Sequence, residues 1–97
     1  MIERFEWPDR ASMAQAIRDA GYTPSEYRYP PGTYFPPHTH NVAKIVAVCS
    51  GRFSLELSGE RVTLEPLQGV LVPAHALHDA EVLGEEPVVS IDAMKEG

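Results

Sequence analysis

The chain has 97 residues, 43% of them hydrophobic, with 14 acidic and 8 basic side chains and a formal charge of −6. That length suits one domain near the lower limit for a self-sufficient core, so a partner subunit or a bound metal is an expected source of extra stability. The acidic balance disfavours nucleic acid or an anionic membrane as the main partner, because both recruit basic patches. The single cysteine, Cys49, excludes an intramolecular disulfide framework.

The opening Met-Ile-Glu-Arg-Phe-Glu-Trp is acidic and lacks an apolar core, so no signal peptide is expected. No stretch is long and apolar enough to span a bilayer, and a cytoplasmic location is the expectation. Residues 1–7 read as a short strand or arm that Pro8 ends, with Trp7 anchoring it to the remainder or to a partner. Asp9 is placed to cap a helix over Arg10–Ala20, and Gly21 to stop it. Met13, Ala16, Ile17 and Ala20 recur at helical spacing and should lay one apolar stripe on a neighbour.

After Gly21 short alternating runs are separated by Gly and Pro, the pattern of an antiparallel sandwich or barrel. Strands are expected near Glu26–Tyr29, Tyr34–Phe35, His40–Cys49, Arg52–Ser58, Arg61–Glu65, Gly69–Val72, Leu77–Leu83 and Pro87–Ala93. Ser50-Gly51 and Ser58-Gly59-Glu60 read as hairpin turns. In Arg52–Ser58, Phe53, Leu55 and Leu57 alternate with Arg52, Ser54, Glu56 and Ser58, which predicts one wet face. His40–Cys49 is apolar on both faces, so its second side needs cover. The helix and the same strand of a second subunit are the two candidates, and a homodimer is the favoured expectation.

Three of the four histidines can share a site. On a strand, His38 and His40 point the same way, roughly 6.6 Å apart along the chain, and residue 44 has the same parity. His78 opens a later strand that can face them across a barrel. Imidazole nitrogens suit Zn, Fe, Mn, Ni or Cu. His75 is a possible fourth ligand but reads more simply as an exposed turn residue. Asp79 has the opposite parity to His78 and is expected to face solvent. Cys49 has the wrong parity for the site and reads as a buried free thiol in an interface, not as a redox nucleophile. Tyr27, Tyr29, Tyr34 and Phe35 are candidates for a pocket mouth or for cross-strand packing. Phe53 and Leu55 serve equally as cavity wall or as core.

The stretch Gly32-Thr-Tyr-Phe-Pro-Pro-His38-Thr-His40-Asn-Val-Ala-Lys44, closing at Gly51, resembles the first motif of the cupin superfamily: Gly, five residues, His-x-His, three or four residues, Glu, six residues, Gly. Lys44 stands at the Glu position. Val72-Pro73-Ala-His75-Ala-Leu-His78 resembles the second motif, Pro-x-Gly-x-x-His, with His75 in place of Gly. Leu67-Gln68 stands where Gly-Asp is common, with Gly69 next door as a substitute for the turn, and Val82 stands where Asn is often found. The resemblance covers roughly residues 25–93.

It implies an all-β fold, a double-stranded β-helix or jelly-roll barrel, here with a short N-terminal helix. Residues 1–24 would form the arm and helix and residues 25–97 the barrel, within one structural domain. It also implies a divalent ion, Zn, Fe, Mn or Ni, on His38, His40 and His78, with no inherited carboxylate and a small organic ligand in the barrel. Three-His centres are known among cupin oxygenases, so an enzyme here would be of metal-dependent dioxygenase or isomerase type. The alternative is a non-enzymatic or metal-free module binding an anionic small ligand through Lys44 and the histidines. Lys44 is the one inward polar candidate for a catalytic role. An ammonium about 5 Å from a divalent ion, at an effective dielectric of about 20, is repelled by on the order of 6 kcal/mol. Lys44 therefore has to snorkel out, lose its proton, pair with a buried carboxylate such as Asp92, or bind an anion in a metal-free site.

Overall fold

The computed structural model describes residues 2–96. Met1 and Gly97, which open and close the two ranges expected from the sequence, lie outside the described residues. Nine strands and one helix follow in order: β1 Arg4–Glu6, α1 Arg10–Asp19, β2 Tyr22–Tyr29, β3 Tyr34–His38, β4 Lys44–Ser50, β5 Arg52–Leu57, β6 Glu60–Leu64, β7 Gln68–Val72, β8 His78–Leu83 and β9 Val88–Lys95. They form two antiparallel sheets, β1-β7-β4-β9-β2 and β3-β8-β5-β6. This is the jelly-roll barrel with a short N-terminal helix.

Alternation decides which side chains fill the barrel. Val46 and Val48 of β4, Phe53, Leu55 and Leu57 of β5, and Val70, Val72, Val82 and Val88 point into the space between the sheets and are buried there. The opposite parity of β4, Ile45 and Ala47, joins Met13, Ile17, Tyr22, Ile91 and Ala93 in a second cluster under the helix. The helix is thus the cover that the doubly apolar β4 needs. Its cap is as expected: the Asp9 carboxylate accepts from the Ser12 N–H at 2.7 Å. Only Met13 and Ile17 of its four stripe residues are buried, each 1% exposed, while Ala16 and Ala20 face outward. Burying two such side chains contributes about 1.5–3 kcal/mol each, enough to hold a ten-residue helix that would be marginal alone.

Several expectations are corrected. Ser50-Gly51 is no hairpin, because β4 and β5 lie in different sheets. Gly51 turns the chain between them at φ +81°, where an added Cβ would strike the Pro87 carbonyl oxygen. Ser58 and Gly59 do close the β5–β6 hairpin, both at positive φ, as a type I′ turn requires. Gly69 is not a turn residue but lies in β7, where its missing Cβ admits the Trp7 ring. The turn is made by Leu67 at φ +69°. Trp7 stacks on Phe5, and its backbone N–H donates to the Leu67 carbonyl at 3.0 Å, so the arm is anchored on the barrel itself.

The expected wet face of β5 is partly dry. Ser54 is 3% exposed and Asp79 7% exposed, although both point away from the barrel interior. Arg61 on β6 lies across them: its guanidinium donates to Ser54 Oγ at 2.9 Å and stands 3.8 Å from Asp79 Oδ2. Asp79 Oδ1 also accepts the Glu56 backbone N–H at 2.9 Å. Asp79 is therefore a buried acceptor, not a solvent-facing carboxylate.

Candidate metal centre

His38 is the last residue of β3 and pairs directly with His78, the first residue of β8. Pro36 and Pro37 interrupt the register just before it, and an edge strand tolerates prolines because one side of it makes no ladder bonds. His40 lies beyond β3, in the connection to β4, so the expected strand from His40 is shortened to begin at Lys44. The His75 N–H donates to the His40 carbonyl at 2.7 Å and ties this connection to the turn before β8. The three rings meet, with centroids 4.9 Å apart for His38–His40, 4.3 Å for His38–His78 and 5.1 Å for His40–His78.

One nitrogen from each of the three histidines lies within 4.8 Å of the others. Imidazole–metal bonds of about 2.0–2.1 Å place such nitrogens about 3.3 Å apart in a tetrahedral centre, so the rings need close by no more than about 1.5 Å. The tautomers favour this. His38 Nδ1–H donates to the Pro36 carbonyl at 2.6 Å and His78 Nδ1–H to the Ala76 carbonyl at 2.9 Å. Each bond leaves Nε2 as the lone-pair nitrogen, the outer-shell arrangement usual for metal-ligating histidines. His78 Nε2 and His40 Nδ1 are buried with no hydrogen-bond partner. An unpaired buried polar atom costs about 1–3 kcal/mol, which a coordinated ion would offset. Burial pushes the His40 imidazole below its ordinary range, and the Lys44 charge and the other two histidines add to this. Burial does the same at His78, against the opposing hydrogen bond to Ala76. Both rings are thereby held neutral, the form that can bind a cation. The donor set fits a divalent transition metal.

Lys44 points into the same cavity and is 7% exposed. Its ammonium pairs with Asp92 Oδ2 at 3.3 Å, so of the four outcomes the carboxylate pairing is the one found. Asp92 and Ser90 both face inward from β9, two residues apart on the parity of Val88. Ser90 was not singled out in the sequence; its burial could have been read from that parity. Its hydroxyl is already committed, donating to the Ala47 carbonyl at 3.0 Å.

The cavity holds about 180 Å³. Its polar lining is the three histidines with Lys44, Asp92 and Ser90, and its apolar and aromatic walls include Tyr29, Phe35, Phe53 and Leu55. Tyr29 stacks on Phe53 at 5.7 Å between centroids and meets the edge of Phe35 at 4.9 Å. Burial, with the Asp92 charge second, pushes the Tyr29 hydroxyl up to about 12, so it stays protonated. Tyr27 and Tyr34 are exposed and take no part. His75 is exposed at φ +67°, the left-handed turn residue at the motif's Gly position, and is not among the clustered histidines. Cys49 lies half-buried on the helix side, its thiol pushed up by burial.

Comparison with known proteins agrees with this architecture. No curated protein matches the sequence. Among solved structures, a cupin 2 domain-containing protein from Halorhodospira halophila superposes with a TM-score of 0.72 at 22% identity, over 99% of this chain and 65% of that one. KdgF from Halomonas sp. gives 0.68 at 24% identity, over 99% of this chain and 80% of that one. A structure of the DMSP lyases RdDddP and RnDddQII gives 0.70 at 25% identity, over 78% of this chain and 39% of that one. The chain spans less than two thirds of the length of several such structures. The family model described as "Cupin domain" matches residues 25–94, and the chain belongs to the cupin family.

Proposed function

We propose that this protein holds one divalent transition-metal ion on His38, His40 and His78 and binds a small organic molecule in the cavity above it. The observation that carries the reading is the pair of buried, partnerless imidazole nitrogens at His40 and His78, within a cluster where backbone carbonyls fix Nδ1 of His38 and of His78. Three protein ligands leave coordination positions open. A bound ion of this kind supplies a Lewis acid that polarises an oxygen donor of the ligand or of water.

The chain's own residues supply the remaining interactions. His38 and His78 are oriented by their carbonyl partners. Phe35, Phe53 and Leu55 offer an apolar wall that excludes water, and the protonated Tyr29 hydroxyl offers a donor. A cavity of about 180 Å³ admits a molecule of single-ring size, since an apolar cavity of about 150 Å³ accepts benzene. The lyase among the similar structures supports a small-molecule ligand. A metal-free anion site is the weaker reading, because the Lys44 charge is already met by Asp92.

Elemental analysis of protein made without an affinity tag, beside His38→Ala/His40→Ala, tests the proposal. About one metal ion per wild-type chain and none in the variant is the expected result. Equal content in the two proteins would contradict it.

A further inference from the structure

We infer that Asp92 is a charge-compensating positioning residue of the histidine site, and that its pairing with Lys44 is what allows a lysine to stand in the cavity beside a cation. This rests on the metal reading above. The two residues form a diagonal pair on the inner face of one sheet: β4 and β9 are neighbours, with Lys44 opposite Met94 and Val46 opposite Asp92. The sheet register therefore sets their approach, and the ammonium reaches the carboxylate at 3.3 Å. The Lys44 side chain is 9% exposed and that of Asp92 25%, so solvent screens the pair only partly. Among the described residues, Asp92 is the one acidic partner of Lys44.

Both charges reach the histidines with opposite sign. Lys44 and Asp92 line the same cavity as His38, His40 and His78. A divalent ion on the same nitrogens would feel the same two fields. Asp92 itself is not in the cluster that offers ligand atoms, so it acts by its charge and not as a ligand. Local charge, not the presence of a lysine as such, then sets the affinity of the site. The pair sums to zero in the wild type. Asp92→Asn leaves +1, Lys44→Met leaves −1, and the double substitution returns the sum to zero.

Calorimetric titration with Zn²⁺ against a competing chelator, at fixed pH and ionic strength, tests this ladder. Asp92→Asn should weaken binding by about a hundredfold, Lys44→Met should tighten it by about tenfold or more, and the double variant should return to within about threefold of wild type. Recovery in the double variant is the readout that a structural role for Asp92 would not give, since lost packing is not restored by a second substitution. Circular dichroism establishes the folding of each variant. Should Asp92→Asn fail to fold, the ordering of Lys44→Met above wild type and the double variant remains the required result. Equal affinity in wild type and Lys44→Met, or a double variant as weak as Asp92→Asn, overturns the inference. A wild type that binds no Zn²⁺ at all rejects the underlying metal reading instead.

Discussion

Asp79→Ala separates the two faces of β8. Asp79 follows His78 directly, but its side chain lies on the outer face of the sheet, where it is 7% exposed. The substitution removes the acceptor of the Glu56 N–H, bonded at 2.9 Å, and the carboxylate 3.8 Å from Arg61. A hydrogen bond to a charged group contributes about 1.5–3 kcal/mol. The Arg61 contact adds less than about 1 kcal/mol, because the guanidinium is half exposed. The expected loss is about 2–3 kcal/mol, or about 10–20 °C in Tm for a domain of this size. Asp79→Asn keeps an acceptor oxygen and should cost about 1 kcal/mol. Thermal unfolding followed by circular dichroism on chelator-treated protein measures both. Zinc stoichiometry should be unchanged in each variant, because neither touches the inner face. A stable Asp79→Ala protein, or one that loses its metal while folded, would refute the assignment of this residue to the outer face.

Two further predictions concern the histidines. His75→Gly should raise stability by about 0.5–1 kcal/mol, since a left-handed non-glycine residue costs about 1–2 kcal/mol and glycine's added chain entropy returns about half of that. Denaturant titration measures the gain, and loss of metal from this variant would show His75 to be a ligand after all. The metal-free protein should lose stability on acidification. His40 and His78 are held below their ordinary range when folded, so the unfolded chain takes up protons first. Their contribution is intact above the unfolded value near 6.5 and falls as pH drops below it toward the depressed folded values. Urea unfolding of apo-protein from pH 7.5 to 5 should show this decline, and a shallower one in His40→Gln/His78→Gln. Identical slopes would contradict the stated cause.

The histidine trio was legible in the sequence because it depends on local spacing and on motifs that also set nearby turns. Strand parity accounts for only part of it. His40 is not on a strand, and a loop tied down by the His75 N–H brings it to the other two. Lys44 was legible as a problem and Asp92 as one candidate partner, but not that the fold brings the two together. Its partner Asp92 is 48 residues away, and only the β4–β9 register brings the two together. The same holds for the outer face of β5. Alternation marked Ser54 and Asp79 as outward correctly, but outward became buried because Arg61 reaches over from the neighbouring strand. Ser50-Gly51 resembled a hairpin because a turn signal carries no information on whether the next strand joins the same sheet. Leu67 and His75 show the converse. Both hold a left-handed backbone where the cupin pattern uses glycine, so the turn survives without the residue that usually marks it.

Anomalous diffraction at the zinc edge, from crystals grown with Zn²⁺, tests the central claim most directly. One strong peak about 2.0–2.1 Å from a nitrogen of each of His38, His40 and His78 is the predicted result. Crystals with zinc only at surface sites, and none among these three rings, would contradict it.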